Sequence, residues 1–149
     1  MPDVTHLLGD LWIGSAPQGS EDRAFDVIFL CAEEWQPEAQ EFPGAILRRC
    51  PFDDPEGHAS EEDIDTALTA ADQAATDLVS GRTVLVTCMM GRNRSALVSA
   101  LALHMLTGES AVRMGRLVQN KRVDPTGVPA LSNPAFWEVL EEVDRVTPR

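Results

Sequence analysis

The chain has 149 residues, 44% of them apolar, and a formal net charge of −12, enough to bury one sizeable core but with little room for a second. Its acidic balance disfavours extended nucleic-acid binding, where neutralised phosphates supply most of the affinity. No run of about 18 apolar residues offers a membrane span, and the N-terminus, Met1-Pro-Asp-Val-Thr-His6, has neither a basic start nor an apolar stretch for export, so the expected location is cytoplasmic.

Along the chain, Thr5–Leu8 and Leu11–Ile13 flank Gly9-Asp10, a hairpin turn. The apolar runs Asp26–Cys31 and Ala45–Cys50 read as strands, and the second leads into an acidic loop, Pro51-Phe-Asp-Asp-Pro-Glu-Gly-His58. Ser60-Glu-Glu-Asp63 is a helix-start box with acids in the first turn. Ile64, Ala67, Leu68, Ala71, Ala75 and Leu78 then mark one buried stripe, and Gly81 closes that helix. Thr83–Thr87 is a continuous apolar and β-branched run, the pattern of a buried strand. Ala96–Leu106 is helical and apolar almost all round, which places it in the middle of the domain. Gly108 stops it, Ser110 caps a shorter basic helix, and the segment 120–133, with Pro125, Gly127 and Pro129, is the one long loop. Asn133-Pro134 opens a last helix with a cap and a first-position proline, burying Phe136, Leu140 and Val143. Strands alternating with helices, without repeats, linkers or low-complexity tracts, give an α/β domain spanning residues 1–149.

Between the last strand and the apolar helix lies Cys88-Met-Met-Gly-Arg-Asn-Arg94, followed by Ser95. One thiol, one guanidinium and the intervening amides can close around a phosphate-sized anion. A thiol is a useful nucleophile only as the thiolate, which N–H groups converging at a helix N-terminus beside a cation favour. The same donors bind phosphoryl oxygens, and Arg94 can hold two of them with its planar fork. Gly91 lets the backbone turn where a side chain would obstruct the anion, and Ser95 adds a hydroxyl beside the thiol. The plainer alternative is a buried structural cysteine with Arg94 on the surface.

At these residues the chain resembles the cysteine-dependent protein phosphatases, specifically the compact dual-specificity branch, whose signature is a His-Cys pair, five residues, then Arg and Ser or Thr. Leu11-Trp-Ile-Gly-Ser15, Asp26-Val-Ile-Phe-Leu-Cys31 and Ser132-Asn-Pro-Ala-Phe136 resemble further family segments, so the likeness covers nearly the whole chain. One departure is Thr87, which stands where the family usually has histidine. The resemblance implies a mostly parallel twisted sheet of about five strands flanked by helices, with the phosphate-binding loop between a strand and the central helix. It implies Cys88 as nucleophile, Arg94 and the amides of Met89, Met90, Gly91, Arg92 and Asn93 as phosphate ligands, Ser95 as partner of the leaving sulfur, and no metal or other cofactor. The family places its general acid three residues after a proline, which matches Asp54, with Asp53 as the alternative; both lie on a loop, where catalytic groups are commonly presented. The implied substrates are phosphorylated proteins or small phosphoesters.

Charge and cysteine usage fit this reading. Residues 1–80 carry 18 acids against 3 bases, whereas residues 81–149 carry 9 bases against 6 acids. Arg113, Arg116, Lys121 and Arg122 either focus a field toward an anionic substrate or form a solvated helix face. Cys31, Cys50 and Cys88 lack metal-ligand or paired spacing, which suits a reducing compartment with one reactive thiol; Cys31 and Cys50 read as core. His58 reads as an exposed loop residue, and His6 and His104 as packed. The absence of tyrosine, which tyrosine-specific relatives stack on the phenol ring, favours a site open to phosphoserine, phosphothreonine and phosphotyrosine. Arg92 keeps a phosphoinositide phosphatase open as an alternative, and Gly91 to Arg94 an RNA 5′-phosphatase. A rhodanese-type sulfurtransferase and a non-catalytic phosphate-binding module are the readings from other classes.

Overall fold

The computed structural model describes residues 2–148. Gly9, at φ +56°, makes a turn that L side chains resist, and the flanking segments pair antiparallel as β1 (Val4–Leu8) and β2 (Leu11–Gly14). The remaining strands are β3 (Val27–Ala32), β4 (Ile46–Phe52) and β5 (Val84–Thr87). They assemble in the order β1-β2-β5-β3-β4, and every pairing except β1 with β2 is parallel. Each residue of β5 is buried, because the strand is flanked on both edges and covered on both faces; this is why its sequence is apolar without alternation. β4 lies at the sheet edge and continues two residues past Cys50, to Phe52. An edge strand tolerates Pro51, which has no N–H to give, so the acidic loop begins at Asp53 rather than Pro51.

The four helices are α1 (Glu61–Val79), α2 (Arg94–Thr107), α3 (Ala111–Lys121) and α4 (Pro134–Val146), and all but α2 open at the expected caps. Ser60 accepts from Asp63 N, Ser110 from Arg113 N and Asn133 from Ala135 N, each removing one unpaired donor from a helix start. The α1 stripe buries Ala67, Ala71 and Ala75 together with Ala70 and Ala74, while Ile64, Leu68 and Leu78 pack against the core from partly exposed positions. α2 is buried from Arg94 through Leu103. It begins two residues earlier than its apolar run indicates, which places Arg94 and Ser95 in its first turn.

Strand residues alternate between two cores, as the pleat requires. Val27, Phe29, Cys31, Val84 and Val86 face α1 and α2 and join the core to which all four helices contribute. Ile28, Leu30 and Leu85 face the other way, onto Phe25 and Phe42, which follow short 3-10 turns at Glu21–Arg23 and Ala39–Glu41. None of the described helices is long and apolar enough to cross a membrane. Because β2, β5, β3 and β4 run in parallel, the segments after all four emerge at one edge, the usual place for a ligand site in such a sheet. Of the histidines, His6 departs from expectation: it is exposed, tilted against Trp12 with ring centroids 5.0 Å apart, and bonded to Gly9 O. His104 is half-buried and bonds Glu109 O, and His58 is exposed beside Glu138.

Candidate active site

The loop after β5 is held by its carbonyl oxygens. Met89 O accepts from Ala16 N at 3.1 Å and Arg92 O from Leu131 N at 2.8 Å. Between them, Arg122 donates Nη2 to Met90 O at 2.8 Å and Nε to Gly91 O at 3.0 Å. In a planar trans peptide the C=O of one residue and the N–H of the next point in opposite directions, and the described chain has no cis peptide bond. With the carbonyls of Met89 to Arg92 tied to the outside, the N–H groups of Met90, Gly91, Arg92 and Asn93 turn to the inside. None of these four amides donates to an acceptor among the described residues. The helix N-terminus of α2 adds its dipole to this concavity.

Gly91 is the pivot of the loop. Its φ is +65°, and a Cβ there would lie 2.5 Å from Arg122 Nη2 and 2.6 Å from the backbone carbon of Gly14. Arg122 is itself fully buried and paired with Asp3, Nη1 to Oδ1 at 2.9 Å and Nη2 to Oδ2 at 2.7 Å. That guanidinium holds the Asp3 carboxyl below its ordinary value. The N-terminal strand region thus fixes the arginine, and the arginine fixes the loop.

Cys88 is 3% exposed, and its Sγ lies 3.1 Å from Ser95 Oγ. Arg94 reaches the carboxylate of Glu34 with both terminal nitrogens, Nη1 at 2.6 Å and Nη2 at 2.9 Å. Burial opposes its charge, but Glu34, with Cys88 and Asp54 nearby, prevails and raises its pKa; in turn the Arg94 hydrogen bond holds the Glu34 carboxyl below its ordinary range. Arg94 Nε is buried with no partner among the described residues. A buried guanidinium N–H without an acceptor is costly unless a ligand supplies one. Thr87 donates its hydroxyl to Phe29 O at 2.7 Å, joining β5 to β3, and leaves the bracing of the loop to Arg122.

Asp54 Oδ2 accepts from Asn93 Nδ2 at 3.1 Å, and its Oδ1 from Asn133 Nδ2 at 2.5 Å. Asn93 Oδ1 also accepts from Asn133 N at 3.1 Å. The acidic loop, the loop after β5 and the start of α4 therefore meet through two amide side chains. Asp53 is exposed and makes no side-chain hydrogen bond among the described residues. Arg92 turns to Asp124, with Nε 3.4 Å from Oδ2. Cys31 and Cys50 are buried with sulfurs 3.6 Å apart on adjacent strands, and burial pushes the Cys31 thiol well above its ordinary value.

No protein-family model matches the sequence, and no curated protein does. Solved structures do match. Tk-PTP in its active form aligns with a TM-score of 0.80 at 23% identity, over 98% of this chain and 99% of that one. Human DUSP28 aligns at 0.76 with 25% identity, over 97% and 95%, and PTPMT1 in complex with PI(5)P at 0.75 with 17% identity, over 95% and 94%. The chain has a compact dual-specificity-phosphatase-like fold. Within that phosphatase fold, the structure brings together Cys88, Ser95, Arg94 and, through Asn93, Asp54. It does not bring Asp53 into the cluster. Of the basic residues read as a helix face or a focusing patch, Arg113, Arg116 and Lys121 are exposed and Arg122 alone is buried. Glu34, Arg122 and Asp3 are not legible as site residues in the sequence, since each gains its role from a partner far along the chain; Asn133 announces itself only as a helix cap.

Proposed function

We propose that this protein is a phosphatase that hydrolyses phosphomonoesters, on phosphotyrosine and phosphoserine or phosphothreonine in proteins, through a cysteinyl-phosphate on Cys88. The observation that carries the reading is the set of four unpartnered amides and the unpartnered Arg94 Nε beside the Cys88–Ser95 pair. Those donors match the equatorial oxygens of a phosphoryl group in transfer, where stabilisation of spread charge does most of the catalytic work.

In the first step the Cys88 thiolate attacks phosphorus in line, the ester P–O bond breaks, and Asp54 delivers its proton to the departing oxygen. Asp54 is suited to this because Asn93, on the loop that binds the phosphoryl group, holds one of its oxygens. In the second step water gives a proton to the Asp54 carboxylate as it attacks phosphorus. The S–P bond then breaks, and Ser95 donates to the leaving sulfur. Apart from the attacking water, the chain supplies every group that this scheme uses. Thr87 in place of histidine favours no binding-only role, because Arg122 supplies the loop brace. The Asp124 partner of Arg92 offsets the charge on which the phosphoinositide alternative rests.

The deciding experiment is release of inorganic phosphate from an aryl phosphate by the parent and by Cys88→Ser, with vanadate as inhibitor. Turnover is expected from the parent only, and vanadate is expected to block it. Turnover retained by Cys88→Ser removes the nucleophile, and thiosulfate cleavage without phosphate release identifies a sulfurtransferase.

A further inference from the structure

A groove of about 810 Å³ runs between β4 and α1. Phe29, Cys50 and Ala70 give it an apolar floor, and its two walls differ in chemistry. One wall is the outer edge of β4, which pairs only with β3. The peptide groups of a strand point alternately to its two edges. Ile46 N–H donates inward to Asp26 O at 2.8 Å, so the N–H and C=O groups of Leu47 and Arg49 point outward. None of these four groups has a hydrogen-bond partner among the described residues.

Such an edge is a template for a further strand, and proteins that leave it unused blunt it with short strands, bulges or free charged side chains. β4 has seven residues, more than any other strand here, and keeps a regular register with β3 from Ile46 to Arg49. Its two arginines are already engaged. Arg48 donates Nη2 to Oδ1 of the buried Asp77 at 2.9 Å, and Arg49 donates Nη2 to Pro37 O at 2.8 Å. The opposite wall is acidic. Glu61, Glu62 and Asp65 line it, all three are exposed, and none is in an ion pair among the described residues. A helix start favours acids in its first turn only, which accounts for Glu61 and Glu62 but not for Asp65. Asp65 stands four residues after Glu61 and three after Glu62, spacings at which like charges on a helix repel.

We infer that this groove docks an extended basic segment of a partner protein, which adds to β4 as a sixth strand and sets its cationic side chains against Glu61, Glu62 and Asp65. Main-chain hydrogen bonds hold a strand added in this way, and its alternate side chains select it. Every second residue of the segment points towards α1. There a lysine or arginine lays its aliphatic stem on the apolar floor and brings its charge to the carboxylates. A cationic segment relieves the repulsion among the three acids, and an acidic one adds to it. β4 and α1 are joined by residues 53–60, the loop that carries Asp54, so a docked segment has one end at that loop. Docking of this kind requires no phosphate chemistry and is tested without turnover.

The test uses a fluorescently labelled peptide of alternating lysine and valine and reads its anisotropy. The parent is expected to bind it saturably, and more weakly as salt rises. Glu61→Gln combined with Glu62→Gln and Asp65→Asn is expected to weaken binding about tenfold. Glu138→Gln combined with Glu141→Gln and Glu142→Gln removes the same charge from α4, and is expected to leave binding within about twofold. Equal losses from the two triple variants mark a general attraction to an acidic protein and overturn the groove. In a strand the N–H groups of the lysines face one edge and those of the valines the other, so N-methylation of all lysines or of all valines blocks one edge at a time. One of these two peptides is expected to bind about tenfold more weakly or worse, and the other within about threefold of the unmodified peptide. Equal binding by both overturns strand addition, and no saturable binding of the unmodified peptide overturns the docking itself.

Discussion

Asn93 donates its side-chain amide to Asp54 Oδ2 across 3.1 Å, joining the loop that carries the sulfur to the loop that carries the acid. Asp53, one residue earlier, has no such tie. If Asp54 protonates the leaving group, its removal hurts most where the leaving oxygen is most basic. Asp54→Asn is therefore expected to slow an alkyl phosphate by roughly 10²–10⁴ in kcat, and a nitrophenyl ester, whose oxygen leaves unaided, far less. Asp53→Asn is expected to change neither by more than about threefold. Steady-state phosphate release on the two substrates checks both, and the reverse ranking of the two aspartates transfers the role to Asp53.

Arg122 satisfies two loop carbonyls and one carboxylate from a site closed to water. Replacing it with Met keeps the volume and leaves Met90 O and Gly91 O without donors, at about 1–3 kcal/mol for each group that stays buried. Arg122→Met is thus expected to lower unfolding free energy by about 3 kcal/mol and to reduce kcat/KM, because the amides opposite those carbonyls lose their orientation. Urea unfolding at neutral pH gives the first number. Arg122→Lys separates charge from geometry: a single ammonium cannot reproduce the fork, so activity is expected to fall there as well, with a smaller loss of stability.

Arg94 and Arg122 differ in how much of their role is written in neighbouring residues. Arg94 stands six residues after Cys88, between a buried-strand pattern and an apolar helix, and local order alone places it beside the thiol. The individual strands, the helices and the caps of α1, α3 and α4 are legible in the sequence for the same reason, since period, proline, glycine and capping residues act within a turn or two, whereas the assembly of the strands into one mostly parallel sheet comes from the resemblance. Arg122 sits at the end of a basic helix, and its partners Asp3, Thr5, Met90 and Gly91 are 119, 117, 32 and 31 residues away. Nothing in its neighbours distinguishes it from the exposed Arg116 or Lys121. Glu34 is likewise 60 residues from Arg94, in a segment whose only local signal is acidity. The end of β4 is illegible for a related reason, because Pro51 reads as a loop residue unless the strand is known to lie at an edge.

Gly91 is constrained twice, by its φ of +65° and by the Arg122 and Gly14 atoms that would meet a Cβ at 2.5 and 2.6 Å. One of the two is backbone, so a rotamer change in Arg122 does not relieve both. Gly91→Ala is expected to cost about 2 kcal/mol or more and to abolish phosphate release even where the protein remains folded, because the only relief is to open the loop. Gly57→Ala is the matched control: nothing lies within 4 Å of a Cβ there, and its stability and activity are expected to match the parent. Thermal unfolding paired with activity at a temperature well below either midpoint distinguishes a lost loop from a lost fold.

Glu34 gives the pH dependence its sign. Its carboxyl is held below the ordinary value of 4.5, first by the hydrogen bond from Arg94. A carboxylate whose pKa is lower folded than unfolded binds fewer protons in the native state, so its stabilisation is complete above about pH 5 and is lost as pH falls through the depressed value. Because Glu34 is half-exposed, the amount is modest, about 1 kcal/mol or less. The difference in unfolding free energy between the parent and Glu34→Gln is therefore expected to be constant from about pH 5 to 8 and to shrink steadily below pH 4.5. A difference that instead grows on acidification means that the Glu34–Arg94 pair does not form in solution. At neutral pH the same variant leaves Arg94 with a neutral partner and a looser orientation, and kcat/KM is expected to fall about tenfold, mostly through kcat.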